Sequence, residues 1–133
     1  MRRPAAFTLI ELLIALAVAA VLTVMAMQAW TRHRDRVELA SARAALVAAM
    51  AEQERRHAHS GRYADFSGIS EHAPGYALSA QWCDGRTLMQ CMEVVAQPAR
   101  PDTRCGTLIL RSTGERFIQA AGVREPAPPA CWP

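Results

Sequence analysis

Hydropathy divides the chain sharply. From Leu12 to Thr31 about twenty consecutive residues carry no charge, and at roughly 1.5 Å rise per residue a helix of that length covers about 30 Å, the hydrocarbon thickness of a bilayer. Neither Pro nor Gly interrupts the chain between Thr8 and His57, so the pattern predicts one long helix from about Thr8 to His57. Its first half is apolar on every side. Its second half is amphipathic: Leu39, Leu46 and Met50 fall on one stripe, while Val37, Ala40, Ala44, Val47 and Ala51 form another about a third of a turn away. Two stripes can serve two different neighbours or pack together on one sheet, and the residues leave that choice open.

Ser60-Gly61 ends the helix, and a connecting loop opens over Gly61 to Phe66, with its aromatic residues expected to pin it. Beyond it, Tyr76 to Trp82, Leu88 to Val95, Thr107 to Arg111 and Arg116 to Ala120 have strand-like content. They are separated by Asp84-Gly85, by Pro98 to Asp102 and by Ser112-Thr113-Gly114. The expected class is α+β, a long helix on a roughly four-stranded antiparallel sheet.

One residue breaks the apolar pattern. Glu11 stands near the start of the uncharged run, and an ionisable group in hydrocarbon costs roughly 2.5 to 3.5 kcal/mol on insertion scales. A cleaved secretory signal would use Arg2 and Arg3 as its basic start and small residues near Ala17, Ala19 and Ala20 for cleavage. Glu11 sits where the apolar core of such a signal should begin, and the run continues too far. A plain membrane anchor explains the length but not the carboxylate.

The length of 133 residues allows one modest globular part beside the apolar helix. The formal charge is +3; without Arg2 and Arg3, thirteen arginines face twelve acids, a balance that does not announce a nucleic-acid binder. Arg32, Arg34 and Arg36 after the apolar run outnumber Arg2 and Arg3 before it, so the positive-inside count leaves orientation open. The cysteines decide it. Cys83, Cys91, Cys105 and Cys131 all follow the apolar run, an even number in a small domain, which reads as disulfides in an oxidising compartment. Four cysteines permit three pairings. Cys83 and Cys91 flank the turn between the first two strands, which favours their pairing and leaves Cys105 with Cys131 to tie down the Pro-rich tail from Pro126 to Pro133.

Arg2-Arg3-Pro4-Ala5-Ala6 followed by Phe7-Thr8-Leu9-Ile10-Glu11-Leu12-Leu13-Ile14 resembles the class III leader and N-terminal helix of type IV pilins and pseudopilins. The resemblance covers about the first thirty residues. It implies cleavage by prepilin peptidase between Ala6 and Phe7, N-methylation of Phe7, and a role for Glu11 against the positive amino terminus of a neighbouring subunit. The implied parts are a leader over 1–6, a transmembrane assembly helix over 7–30 and a periplasmic or extracellular domain over 31–133. Ala6 stands where the family usually has glycine, and Ala20 and Gln28 where many members carry a glycine and a proline, so a straighter helix is expected. A second, weaker likeness runs through Cys105-Gly106-Thr107-Leu108, Gly114 and Cys131-Trp132, which is similar to the C-terminal part of small minor pilins of the PilE type.

The resemblance implies a subunit stored in the inner membrane with its C-terminal domain in the periplasm, then displayed in a surface pilus for adhesion, twitching motility or DNA uptake. Its partners would be other pilins and prepilin peptidase. Two other roles are weighed: a type II secretion pseudopilin, and a DNA-receptor pilin in which Arg86, Arg100, Arg104, Arg111 and Arg124 form a basic stripe. The two cysteine pairs and the Cys-Trp ending favour the pilin over the pseudopilin, and the near-neutral charge does not indicate nucleic acid. No enzyme is expected, because the chain lacks a phosphate-cradling Gly-rich loop, a nucleophile elbow and a His-Glu-x-x-His motif. No cofactor or metal is expected either: His57 and His59 project about 200° apart on a helix and cannot share an ion.

Overall fold

The computed structural model describes residues 8–69, 73–85, 90–101 and 104–132. The chain forms one uninterrupted helix, α1 (Leu9–Ser60), then six strands: β1 (Phe66–Ile69), β2 (Tyr76–Trp82), β3 (Met92–Pro98), β4 (Thr107–Arg111), β5 (Arg116–Ala120) and β6 (Val123–Pro126). Two compact units divide it, Met1–Arg36 and Val37–Pro133. In the second, the strands make a single antiparallel meander in the spatial order β1-β2-β3-β4-β5-β6.

The sheet is thus two strands wider than its sequence advertises. At one edge, β1 begins at Phe66, where the sequence predicts only loop; it is four residues long and contains Gly68, too short and too weak in strand formers to stand out. At the other edge, β6 follows β5 through the two-residue turn Ala121-Gly122, both with positive φ (50° and 82°). That geometry suits a tight hairpin, but such turns usually announce themselves as Asn-Gly or Asp-Gly, and Ala121 hides it. Pro126 consequently ends a strand rather than opening the tail. The third expected boundary also moves. β3 starts at Met92, because Trp82 pairs with Met92 and the residues between them form a disulfide-closed connection; Leu88 lies outside the described residues.

Alternation along these strands builds two faces. Tyr76, Leu78, Ala80, Met92, Val94, Ala96, Leu108, Leu110 and Ile118 join one core with Ala42, Ala45, Leu46 and Met50 of α1. Leu46 is fully buried there. The stripe of Leu39, Leu46 and Met50 therefore packs the sheet, whereas Val37, Ala40, Ala44, Val47 and Ala51 are exposed. At the C-terminal end of the helix, Gln53 is buried and its Oε1 accepts the Ala64 amide at 2.9 Å. Tyr63 is buried beside it, stacks on His57 at 4.3 Å and donates to Glu54 at 2.9 Å. Burial and that hydrogen bond raise the Tyr63 hydroxyl above its ordinary range. The loop is thereby pinned.

Two disulfides close the sheet's lower half. Cys83 is joined to Cys91 and Cys105 to Cys131, each with Cα atoms 5.5 Å apart. The second carries the tail onto the start of β4, where Trp132 is buried and Arg116 lies over its ring at 5.5 Å. Arg43 on α1 adds a hydrogen bond to the Ala130 carbonyl at 3.2 Å. Gly106 is required in this corner: its φ is +57°, and a Cβ would stand 2.3 Å from the Gln119 carbonyl oxygen. The neighbouring tail residues contain only turns, so the bridge supplies the order that a ladder would give elsewhere.

The opposite face of the sheet has an ionic centre. Glu93 is fully buried on it, and its carboxylate accepts hydrogen bonds from Gln81 (3.1 Å), Arg111 (3.2 Å) and both terminal nitrogens of Arg124 (3.0 and 3.1 Å). Arg111 also lies over the Phe117 ring at 4.8 Å. Burial by itself would raise the Glu93 carboxyl, but the bonds from Arg124, Gln81 and Arg111 outweigh it and hold the group below the ordinary carboxylate range. Removing one member of such a centre is costly because the rest stay partly buried without their partner.

Two outcomes follow from these contacts. Cys131→Ser should release the tail and lower stability by about 3 kcal/mol on the chain-entropy estimate; a fall in thermal melting temperature of the oxidised protein measures it. Glu93 has a lower pKa folded than unfolded, so its contribution is complete above the unfolded value near 4.5 and disappears as pH falls through the folded value. Glu93→Gln should therefore lower the melting temperature most at neutral pH, with the gap to the natural protein closing in acid.

Candidate assembly site

The first turn of α1 contains the one carboxylate in the apolar half. Thr8 precedes the helix, and its carbonyl accepts the first helical bond from the Leu12 amide at 3.2 Å. Its hydroxyl accepts from the Glu11 amide at 3.4 Å, while the Thr8 amide and hydroxyl donate to Glu11 Oε2 at 3.3 and 3.2 Å. This reciprocal arrangement is a capping box. It satisfies amides that a helix start leaves without partners and places a negative group where the helix dipole favours one. The Thr-x-x-Glu spacing is the one sequence signal that could have found this pair; nothing in the hydrophobic pattern points to Thr8.

Both bonds from Thr8 go to Oε2. Glu11 is exposed, so its carboxylate is accessible from outside the chain. The box orients the carboxylate through one of its two oxygens. Ala6 and Phe7, the expected cleavage pair, lie outside the described residues.

After this turn the helix presents apolar side chains in every direction. Leu9, Ile10, Leu12, Leu13, Ile14, Leu16, Val18, Val21, Leu22, Val24, Met25, Met27 and Trp30 are all more than half exposed, and none of the most apolar stretch is buried within the chain. Its polar side chains turn back on the backbone: the Thr23 hydroxyl donates to the Ala19 carbonyl, and Thr31 to Gln28 at 3.0 Å. Such self-satisfied hydroxyls suit an apolar surrounding. The surface is built to be covered by hydrocarbon or by other helices.

The remaining sequence candidates scatter. His57 stacks on Tyr63 and His59 lies at the exposed helix end, and His72 is outside the described residues. Among the described residues no three His, Cys, Asp or Glu side chains converge as metal ligands. Three of the five arginines of the expected basic stripe are held in internal pairs: Arg100 bonds Glu38 at 2.8 Å, and Arg111 and Arg124 hold Glu93; Arg104 is exposed. Arg86 lies outside the described residues. Glu93 was not singled out from the sequence; its signal is a lone acid in a strand, opposite Arg111 in the register.

Residues 1–27 match the family model of the prokaryotic N-terminal methylation motif. No curated protein matches the chain. The motif over the first residues, the exposed apolar helix that follows and the antiparallel sheet with two disulfides are together consistent with a pilin-like α+β fold.

Proposed function

We propose that the chain is a minor pilin: a structural subunit of a type IV pilus, held in the inner membrane until it enters the filament. The observation that carries this reading is the combination of the capped, exposed Glu11 with a helix whose apolar side chains stand exposed among the described residues. In it, prepilin peptidase removes residues 1–6 on the cytoplasmic side by cutting between Ala6 and Phe7, and the new Phe7 amine is methylated. Residues 7–30 then anchor the subunit, and residues 31–133 stand in the periplasm, an oxidising compartment that suits the two disulfides.

Glu11 supplies the assembly contact. A methylated amine keeps its positive charge, and opposite charges brought together in a low dielectric attract strongly. The Phe7 amine of one subunit thus pairs with Glu11 of its neighbour, and Thr8 presents that carboxylate in a fixed direction. The exposed stripe of Val37, Ala40, Ala44, Val47 and Ala51 offers a separate surface to filament neighbours on the second half of the helix. The arginines already paired with Glu38 and Glu93 favour this structural role over one as a DNA receptor.

Glu11→Ala should be cut and inserted normally yet enter filaments poorly, as measured by immunoblotting membrane and sheared-filament fractions. Thr8→Ala keeps the carboxylate and loses only the cap, worth about 1 kcal/mol, so it should incorporate better than Glu11→Ala. Natural levels of Glu11→Ala in filaments would remove the assembly role. A deletion strain compared for pili, twitching, transformation and protein secretion assigns the filament: loss confined to secretion would make the chain a pseudopilin.

A further inference from the structure

The apolar half of α1 ends in a group of residues that membrane anchoring does not require. Trp30 is 70% exposed, and within the next six positions come Arg32, His33, Arg34 and Arg36, with Asp35 the single acid. All are exposed. At about 100° per residue, Arg32 and Arg36 lie roughly 40° apart on one side of the helix, while Arg34 and Trp30 lie roughly 40° apart on the opposite side. The charges therefore ring the helix instead of lining one face.

That distribution selects the partner. A stripe on one face would suit a protein or a nucleic-acid strand approaching from that direction. A collar suits a surrounding layer. Trp30 stands about 30 Å along the helix from Leu9, the hydrocarbon thickness, and an indole with an apolar body and a polar edge belongs at headgroup depth. Arginine stems a turn further on can lie along the apolar surface with their guanidiniums at the phosphates. The collar also carries a cost: three arginines on the far side of the apolar run oppose the positive-inside preference set by Arg2 and Arg3.

We propose that Trp30, Arg32 and Arg36, with Arg34, form a collar that binds anionic phospholipid headgroups in the leaflet where the helix leaves the membrane. This rests on the reading of the apolar helix as a membrane anchor. The collar fixes the depth of the stored subunit and sets an electrostatic contribution that must be broken when the subunit leaves for the filament. Each arginine near an anionic surface contributes about fivefold in lipid affinity, the factor that corresponds to roughly 1 kcal/mol.

The test uses the full-length chain in neutral detergent, with retained phosphatidylglycerol and phosphatidylcholine counted by native mass spectrometry. The natural protein should retain phosphatidylglycerol preferentially, and millimolar inorganic phosphate should not displace it. The double variant Arg32→Gln/Arg36→Gln should lose about 25-fold in phosphatidylglycerol affinity at an unchanged melting temperature. Equal retention of the two lipids, unchanged retention by the double variant or displacement by inorganic phosphate would overturn the collar. Membrane fractionation separates the two readings: a chain in the membrane with no lipid preference removes the collar alone, whereas a chain absent from the membrane removes the anchor as well.

Discussion

An apolar helix surface left without cover among the described residues is the constraint on which everything else turns. Thirteen large hydrophobic side chains between Leu9 and Trp30 stand mostly exposed, and each gains about 1.5 to 3 kcal/mol when removed from water. The sum is tens of kcal/mol, more than the net stability of a typical domain. Such a surface cannot persist in water. It demands a bilayer or a set of like helices, and the proposed subunit uses one cover and then the other.

Glu11 marks the difference between those two covers. In hydrocarbon a carboxylate is a cost; against a neighbour's positive amine, as proposed, it would become a specific contact. The capping box moderates the first state by giving one oxygen two bonds from Thr8. The globular part solves a separate problem. Its sheet packs one face on Leu46 and Met50 and closes the other around Glu93 with arginine partners. This leaves the outer stripe from Val37 to Ala51 uncommitted within the subunit.

Legibility in the sequence followed the strength of the local signal. A charge-free run of helix length cannot be mistaken, and β2, β4 and β5 have the extents that their residues predict, because each is rich in strand formers and bounded by turn residues. The edge strands were illegible for local reasons: β1 contains a glycine, and β6 depends on a turn in which Ala121 takes a positive φ. The Glu93 centre could not be read because its members are spread from Gln81 to Arg124 and meet only through strand register. Arginines that looked free along the chain were internal partners in space. The likeness of the first thirty residues to pilins suggests an assembly chemistry that periodicity alone does not supply, whereas the bonds between Thr8 and Glu11, whose local signal is the Thr-x-x-Glu spacing, emerged from geometry.

The most direct measurement of the central claim is the identity of the amino terminus in the two places the subunit should occupy. Mass spectrometry of the chain recovered from membranes and from sheared filaments should show, in both, a mature form beginning at N-methylated Phe7. A chain that keeps Met1 in its functional location, or that never reaches filaments, would contradict the account.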